Sequence, residues 1–318
     1  MIDVLCMGRS SIDLYAHEIG VPITDVKRFD AYVGGCPTNV SVGTRRLGLR
    51  SALLTAVGTD QVGDFVLDFL KREGVNVDHV PRLAERRTSA VVLTIQPPDN
   101  FPLTFFRDNC ADLGLTIEHV AAAPVADSKA VFLSGTGLSE EPSRTATLFA
   151  AESARASDVT VVVDIDYRAS LWNSADAFGV NVRTLLARAD LAIGTEEEVM
   201  AATGAADALG GARMLLDGGL PALVLKRGIH GAVVCRRGDP PVAVPPFTVD
   251  VLNVLGAGDA FASGFLYGHV HGWTHEESAR FGNATGAIVV TRHGCANFMP
   301  TLPEVHDFFK AQGATLPR

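Results

Sequence analysis

Short apolar runs alternate with amphipathic stretches along most of the chain. Apolar runs without a polar face are typical of strands buried on both sides of a parallel sheet, as in "IDVLC", "SALLTAV", "KAVFLS", "VTVVVDI", "DLAIG" and "PALVL". The stretches between them have the helical spacing of apolar residues, as in "VGDFVLDFLKREG", "SRTATLFAAESARAS" and "NVRTLLARA". This alternation predicts an α/β fold of three layers, in which helices flank a mostly parallel central sheet.

Two segments, at about 12–34 and 88–108, interrupt the alternation. The first consists of short extended pieces with a turn, and the second of two strands, "TSAVVLTIQ" and "LTFFRD", joined by the turn-rich "PPDNFP". Together they predict a small antiparallel β-sheet lid over one edge of the main sheet. Because no repeat or low-complexity linker divides the chain, we expect a single domain of residues 1–318 with these lid segments inserted.

Composition and charge narrow the classes of protein. Hydrophobic residues make up 47% of the 318 residues, and the net charge of −9 is unfavourable for a protein whose main partner is nucleic acid. No stretch approaches the roughly 18 apolar residues that cross a bilayer, and the N-terminus lacks the basic region of a signal peptide. The five cysteines contain no CxxC spacing, so we expect neither disulfides nor a zinc site. A cytoplasmic location with no membrane partner is therefore expected.

A glycine turn precedes a helix in "NVLGAGDAFASGF", residues 253–265. Gly256 and Gly258 allow a tight turn and the close approach of a ligand, and the free N–H groups of a helix N-terminus bind anions such as phosphate. Asp259 could then accept the proton of a hydroxyl that attacks phosphorus. The alternative is an ordinary helix cap. The dinucleotide pattern GxGxxG is excluded by Phe261, and no GxxxxGK[ST] occurs.

A second glycine-rich turn, "YVGGCPTNVSVGTRRLG", covers residues 32–48. Gly34 and Gly35 allow close approach to a small polar molecule, and Asn39 can both donate and accept hydrogen bonds. Asp13 follows the first strand, where a carboxylate can bind sugar hydroxyls. The alternatives are a plain strand-to-helix turn and a turn aspartate.

These two segments, about 220 residues apart, resemble the two signatures of the ribokinase-like (pfkB-type) carbohydrate kinases. Four further segments resemble other parts of that family, so the likeness covers essentially the whole chain: "VVVDIDYRASLW", "GTEEEVMAATG", "LKRGIHG" and "GNATGAIVVTRHGC". The resemblance implies a ribokinase-like fold with a small lid. It also implies a phosphotransferase that uses ATP and Mg²⁺ to phosphorylate an alcohol group of a sugar.

The resemblance also implies roles for particular residues. The base and the backbone that would bind the transferring phosphoryl group are Asp259 with Gly256, Ala257 and Gly258. The residues that would hold the sugar are Asp13, Gly34, Gly35 and Asn39. Those that would lie near the nucleotide are Lys226, Gly228, Gly231 and Asn283, and Glu198 would act on magnesium through water.

Five positions depart from the family pattern, among them Val254 and Leu255, which replace threonines. Asn253 replaces an aspartate that helps to bind a monovalent cation in the family, so the need for potassium is left open. Thr195 and Asp166 each replace an asparagine. These departures occur together in one branch of the family, and the resemblance to that branch implies phosphorylation of the 6-hydroxyl of 2-deoxy-5-keto-gluconate. The alternatives are 2-keto-3-deoxygluconate, fructose and, remotely, a sugar-binding regulator without catalysis.

An acidic sugar substrate calls for a guanidinium in its pocket. Arg9, Arg107 and Arg168 each follow a predicted strand on the side of the presumed sugar. Our hypothesis is that Arg107, with Arg9 or Arg168, pairs with the substrate carboxylate, and the alternative for each is a surface ion pair. Since lid strands of the family often pair between subunits, the resemblance also implies a homodimer through the lid.

Overall fold

The structure is a computed structural model that describes residues 1–97 and 100–317. Its strands are β1 (Ile2–Met7), β2 (Ser11–Ala16), β3 (Phe29–Gly34), β4 (Ser51–Leu54), β5 (Val57–Gly58), β6 (Arg82–Leu83), β7 (Ser89–Leu93), β8 (Leu103–Phe106), β9 (Ser128–Ser134), β10 (Thr160–Asp164), β11 (Leu191–Thr195), β12 (Ala222–Lys226), β13 (Ala232–Arg236) and β14 (Val242–Val244). Its α-helices are α1 (Cys36–Arg46), α2 (Gln61–Arg72), α3 (Ile117–Ala121), α4 (Ser143–Ala156), α5 (Ala175–Leu186), α6 (Glu196–Thr203), α7 (Ala208–Asp217), α8 (Ala257–Val270), α9 (His275–Val289) and α10 (Leu302–Ala311).

An eight-stranded sheet forms the centre of the fold, in the order β14-β13-β12-β11-β10-β9-β1-β4. Neighbouring strands from β12 to β4 run parallel, whereas β13 and β14 are antiparallel at one edge. The apolar runs of the sequence form these strands because the inner ones are covered on both faces. The predicted α/β fold with a mostly parallel sheet is confirmed.

Helices pack on both faces of the sheet and divide its side chains between two apolar layers. Leu5 of β1 belongs to the layer under α4, α5, α6 and α7, with Val182 and Leu215. The next residue, Cys6, faces the opposite layer under α1, α2, α8 and α9, with Phe265. Successive strand residues point to opposite faces, so a run that is apolar throughout supplies both layers.

The order of strands reverses at β1, which lies between β4 and β9. In open α/β sheets a crevice forms at the carboxyl ends of the strands beside such a reversal. Polar residues of this chain gather there: Arg9 follows β1, Asp166 follows β10, and Thr195 and Lys226 end β11 and β12. The fold therefore places the candidate site at this edge of the sheet.

The two interrupting segments form the predicted small sheet, in the order β3-β2-β7-β8. The pairs β2–β3 and β7–β8 are antiparallel, while the middle pair β2–β7 is parallel. The middle pair cannot be a hairpin, because α1, β4 and α2 separate its strands along the chain. Residues 98 and 99 of the predicted turn lie outside the described residues. Within the described ranges, no helix combines the length and apolar character needed to cross a membrane.

Candidate active site

Helix α8 begins at a turn that only glycine accommodates. Gly256 has a φ of 83°, and a Cβ at this position would lie 2.9 Å from the Sγ of Cys295. A side chain would therefore be strained by the backbone and would also collide with the loop after α9. The first N–H groups of α8 have no partners within the helix, so this turn can bind an anion.

Asp259 lies in the first turn of α8 and contacts the other glycine-rich segment. The Nδ2 of Asn39 donates a hydrogen bond of 2.6 Å to the Oδ2 of Asp259. Burial raises the pKa of Asp259, while the bond from Asn39 and the charge of Arg168 act in the opposite direction. The hydrogen bond that this carboxylate accepts comes from a side chain of α1 rather than from a backbone N–H at the start of α8.

A small cavity of about 60 Å³ lies beside Asp259, beneath the lid. The structure brings together in its wall five residues predicted to hold the sugar: Arg9, Asp13, Gly35, Asn39 and Arg168. The other wall consists of lid side chains and of residues that the sequence did not indicate: Tyr15, Cys36, Val91, Leu93, Leu103, Phe105, Leu255 and Cys295. Tyr15 could have been found, because it is two residues from Asp13 on a strand and faces the same side.

Asp13 is held by a short relay of hydrogen bonds. Arg9 Nη1 donates to Ser11 Oγ at 2.8 Å, and Ser11 Oγ donates to Asp13 Oδ1 at 2.6 Å. Burial raises the pKa of Asp13. Gly34, which was expected to hold the sugar, is not in the wall of this cavity. Its missing side chain instead makes room for Asp13, because a Cβ there would overlap Oδ2. Gly35 has a φ of 104° and starts α1.

Arg9 and Arg168 present guanidinium groups to this cavity. Arg9 is nearly buried, its Nε has no hydrogen-bond partner among the described residues, and its guanidinium lies 5.2 Å from the centre of the Phe105 ring. The Nε of Arg168 donates to Asp166 Oδ1 at 2.9 Å, and 40% of the Arg168 side chain is exposed. Each group is held by a hydrogen bond within the protein and, with five N–H donors, has others to offer a ligand.

Arg107, the first candidate from the sequence for pairing with a substrate carboxylate, has a different environment. Its Nε and Nη2 donate to Asp112 Oδ2 at 2.9 and 2.6 Å, and its Nη1 donates to the oxygens of Thr136 and Ser139. It lines a separate cavity, which shares only Leu103 and Phe105 with the cavity beside Asp259. The geometry therefore favours Arg9 and Arg168, rather than Arg107, as partners of a substrate carboxylate.

A larger cavity, of about 430 Å³, lies on the other side of the α8 N-terminus. It brings together all four residues predicted to lie near the nucleotide with two from the glycine turn: Lys226, Gly228, Gly231, Asn283, Ala257 and Gly258. Its far wall is apolar and includes Phe247 and Pro246. Part of the hydrogen-bonding capacity of Asn283 is already used, because its Nδ2 donates to the carbonyl oxygen of Pro245 at 2.9 Å.

Acidic side chains gather where this cavity meets the carboxyl ends of the strands. Lys226 Nζ lies 3.0 Å from Asp164 Oδ2 and 3.9 Å from Glu198 Oε2. Glu198 also accepts a hydrogen bond of 2.7 Å from the backbone N–H of Thr195. Burial, aided by Glu198 and other carboxylates nearby, raises the pKa of Asp164 to about 7, although Lys226 opposes the shift. Asp164 was not singled out from the sequence, because it ends an apolar strand.

The described parts fit one class of reaction. An anion-binding helix N-terminus, a buried carboxylate beside it and separate cavities on its two sides are what the transfer of a phosphoryl group to an alcohol requires. The sequence matches the pfkB family carbohydrate kinases over residues 1–302, and the chain belongs to this family. It is an enzyme that transfers a phosphoryl group to a sugar hydroxyl.

Relatives and solved structures agree with this assignment along nearly the whole chain. The chain is 32% identical over 321 aligned positions to the 5-dehydro-2-deoxygluconokinase of Geobacillus thermodenitrificans (strain NG80-2), covering 99% of this chain and 95% of the relative. It superposes on a fructokinase with bound ATP from Xylella fastidiosa with a TM-score of 0.88, at 26% identity, covering 98% and 99% of the two chains. A fructokinase double mutant from Vibrio cholerae O395, in fructose-, ADP- and potassium-bound form, has a TM-score of 0.86 and 25% identity, with coverage of 96% and 98%. The three-layer, ribokinase-like fold is confirmed.

Proposed function

We propose that this kinase transfers the γ-phosphoryl group of ATP to the 6-hydroxyl of 2-deoxy-5-keto-gluconate. The observation that carries the substrate assignment is the pair of guanidinium groups, Arg9 and Arg168, in the cavity beside Asp259. Guanidinium groups form strong, often bidentate hydrogen bonds with a carboxylate, so this pocket suits a sugar acid better than a neutral sugar. The name of the relative from Geobacillus thermodenitrificans supports the same substrate.

In the proposed reaction, Asp259 accepts the proton of the 6-hydroxyl as its oxygen forms a bond to the γ-phosphorus. The bond between the γ-phosphorus and the bridging oxygen breaks, and its electron pair leaves with ADP. The backbone N–H groups of Gly256, Ala257 and Gly258 stabilise the charge on the transferring phosphoryl group. Asn39 keeps Asp259 oriented through the bond of 2.6 Å, and Asp13 and Gly35 position the sugar.

The nucleotide occupies the larger cavity in this proposal. Its phosphates lie toward Lys226 and the N-terminus of α8, and its base lies toward Gly228, Gly231 and Asn283, where the wall is apolar. Burial raises the pKa of Asp164, and the nearby carboxylate of Glu198 adds to the shift. Two neighbouring carboxylates beside the phosphate end of the cavity fit a divalent cation. Glu198 and Asp164 would hold Mg²⁺ through water, and the ion, when bound, neutralises phosphate charge.

The sugar enters only if the lid moves, because the cavity of about 60 Å³ is well below the roughly 300 Å³ of a usual ligand pocket. Val91, Leu93 and Phe105 of the lid form one of its walls. Lid closure over the substrate would exclude water and so limit the hydrolysis of ATP.

The substrate assignment is tested by measuring ADP release with MgATP and each of three sugars: 2-deoxy-5-keto-gluconate, 2-keto-3-deoxygluconate and fructose. We expect the highest kcat/KM with the first. A preference for 2-keto-3-deoxygluconate or fructose would refute the substrate while leaving the kinase assignment in place. ATP binding without turnover of any of the three would favour the sugar-binding regulator.

Potassium is expected to have little influence on the rate. Asn253 is wholly buried and neutral, and its Oδ1 accepts a hydrogen bond of 3.0 Å from the N–H of Leu255. A neutral amide that is already engaged in its own loop attracts a cation far less than a carboxylate does. Replacing potassium by tetramethylammonium at constant ionic strength should change kcat less than about twofold, since screening is then unchanged. A loss of most activity would contradict this proposal.

We also propose that the chain forms one domain of residues 1–318 and a cytoplasmic homodimer through the lid. The lid sheet ends in two edge strands, β3 and β8, whose Phe29 and Phe106 are exposed. Exposed edges with apolar side chains are prone to pair with another chain. Light scattering during size-exclusion chromatography should give twice the mass of 33.6 kDa. Substituting Phe106 by lysine should return the monomer, and a monomeric wild type would refute the proposal.

A further inference from the structure

The ammonium group of Lys226 lies where the nucleotide cavity meets the N-terminus of α8. A Cβ placed on Gly258 would be 3.2 Å from the Nζ of Lys226. The side chain lines the same cavity as Ala257 and Gly258 and is 11% exposed. Lys226 thus adds a full positive charge to the turn whose backbone N–H groups bind anions, where the helix alone supplies about half a charge.

Two carboxylates hold this ammonium without using all its donors. Asp164 Oδ2 accepts a hydrogen bond of 3.0 Å from Nζ, and Glu198 Oε2 is 3.9 Å away, beyond hydrogen-bond range. A lysine ammonium has three N–H donors, so donors remain for a group in the cavity. The side chain is positioned in advance, as a group that stabilises a transition state must be.

We infer that Lys226 is a catalytic residue that stabilises the phosphoryl group during its transfer, rather than a residue that only binds the nucleotide before the reaction. This inference rests on the proposed phosphoryl transfer. As the bond to the sugar oxygen forms and the bond to ADP breaks, negative charge develops on the oxygens at the junction of the two cavities. Lys226 donates a hydrogen bond to them and keeps its proton throughout, since Asp259 takes the proton of the hydroxyl.

The position of Lys226 distinguishes it from the other residues of the nucleotide cavity. Gly228, Gly231 and Asn283 share that cavity with the apolar wall of Phe247. The Nζ of Lys226 instead lies near Gly258, the neighbour of Asp259, within 3.2 Å of where a Cβ on that glycine would be. Removal of one preorganised donor from such a site costs about 10²–10³ in kcat. A group that contacts the nucleotide equally before and during the reaction would instead change binding and leave kcat intact.

The test compares Lys226→Met with the wild type, using whichever of the three sugars the wild type phosphorylates. We expect kcat to fall about 100-fold at saturating MgATP, while the Kd of MgADP from isothermal titration calorimetry changes only a few-fold. The matched control is Lys129→Met. Lys129 also pairs with an aspartate, Asp3, at 3.0 Å, but it lies at the amino-terminal end of β9, at the opposite edge of the sheet from the candidate site. An unchanged kcat, or a weaker Kd with unchanged kcat, would overturn the inference.

A second pair of variants covers the case in which Lys226→Met folds poorly because it leaves Asp164 buried without a partner. The double variant Lys226→Met/Asp164→Asn removes both charges, and it is compared with Asp164→Asn alone. A kcat at least about 30-fold lower in the double variant supports a direct role of the ammonium. Equal kcat values would show that Lys226 only positions Asp164. Turnover of another sugar with the same dependence on Lys226 would refute the substrate assignment and leave this inference standing.

Discussion

Substitution of Asp259 by asparagine is expected to lower kcat by about 10²–10⁴-fold, the usual contribution of a general base. The amide has the size of the carboxylate but cannot accept the proton of the sugar hydroxyl. It can still contact Asn39, whose Nδ2 lies 2.6 Å from the Oδ2 of Asp259, once its own oxygen faces that donor. The fold should remain intact, and steady-state rates of ADP release with the preferred sugar provide the measurement.

Asp60→Asn is the matched control for this substitution. Asp60 caps α2, since its Oδ1 accepts a hydrogen bond of 2.8 Å from the N–H of Gly63. Its Oδ2 also accepts a hydrogen bond of 2.9 Å from the N–H of Thr88. The amide can keep the cap but not this second bond, so we expect a stability cost of about 1–3 kcal/mol and no catalytic effect. Asp60→Asn should therefore keep a normal kcat. If Asp259→Asn likewise kept at least a tenth of the wild-type kcat, Asp259 would not be the base.

The pH dependence of the rate gives a second view of the same group. A general base works when unprotonated, so kcat/KM should fall as the pH drops through the pKa of Asp259. Because burial raises that pKa, the fall should begin at a higher pH than for an exposed aspartate. Asp164, whose pKa burial raises to about 7, would add a second step near neutral pH. If Asp259→Asn abolishes the fall of kcat/KM at acidic pH, that fall is due to Asp259. Any change of kcat/KM near neutral pH that the variant retains is then due to another group, such as Asp164.

Much of the site could be predicted because its parts are local in sequence. The glycines before α1 and α8 are recognisable in the sequence as turns that precede helices. Residues at the carboxyl ends of parallel strands meet at one edge of the sheet. Asn39 and Asp259 thus come into contact although 220 positions separate them. The sheet itself followed from apolar runs, since strands covered on both faces need no polar residues.

Other features depend on which partner a side chain finds in three dimensions. Arg107 has the strand-end position of a substrate-binding arginine, and nothing in the sequence reveals that Asp112, five residues later, turns back to neutralise it. The bond of 2.9 Å between Tyr15 OH and Cys295 Sγ joins the lid to the loop after α9, at a separation of 280 residues. The pairing of β2 with β7 likewise depends on how the chain returns to the lid.

Replacing Arg168 by methionine is expected to abolish the preference for the acidic sugar. Its Nε is held by Asp166 at 2.9 Å, which leaves the outer edge of the guanidinium, on a partly exposed side chain, for a carboxylate. Loss of one partner from a hydrogen-bonded charge pair costs about 2–5 kcal/mol, or roughly 30- to 5000-fold. The kcat/KM for 2-deoxy-5-keto-gluconate should fall by this factor more than that for fructose, which has no carboxylate. A loss shared by both sugars would reflect Asp166, which the substitution leaves buried without its guanidinium.

Arg107→Ala provides the contrast, because this arginine lies in a buried ion pair that stabilises the fold. The side chains of Arg107 and Asp112 are 4% and 1% exposed, so removing the guanidinium leaves a buried carboxylate without its partner. That costs about 3–5 kcal/mol of stability, visible as a lower Tm. Any loss of activity should be equal for the acidic and the neutral sugar. A selective loss for the acid in Arg107→Ala, with a normal Tm, would restore Arg107 as the carboxylate ligand. An equal loss for both sugars in Arg168→Met would then remove the case for Arg168.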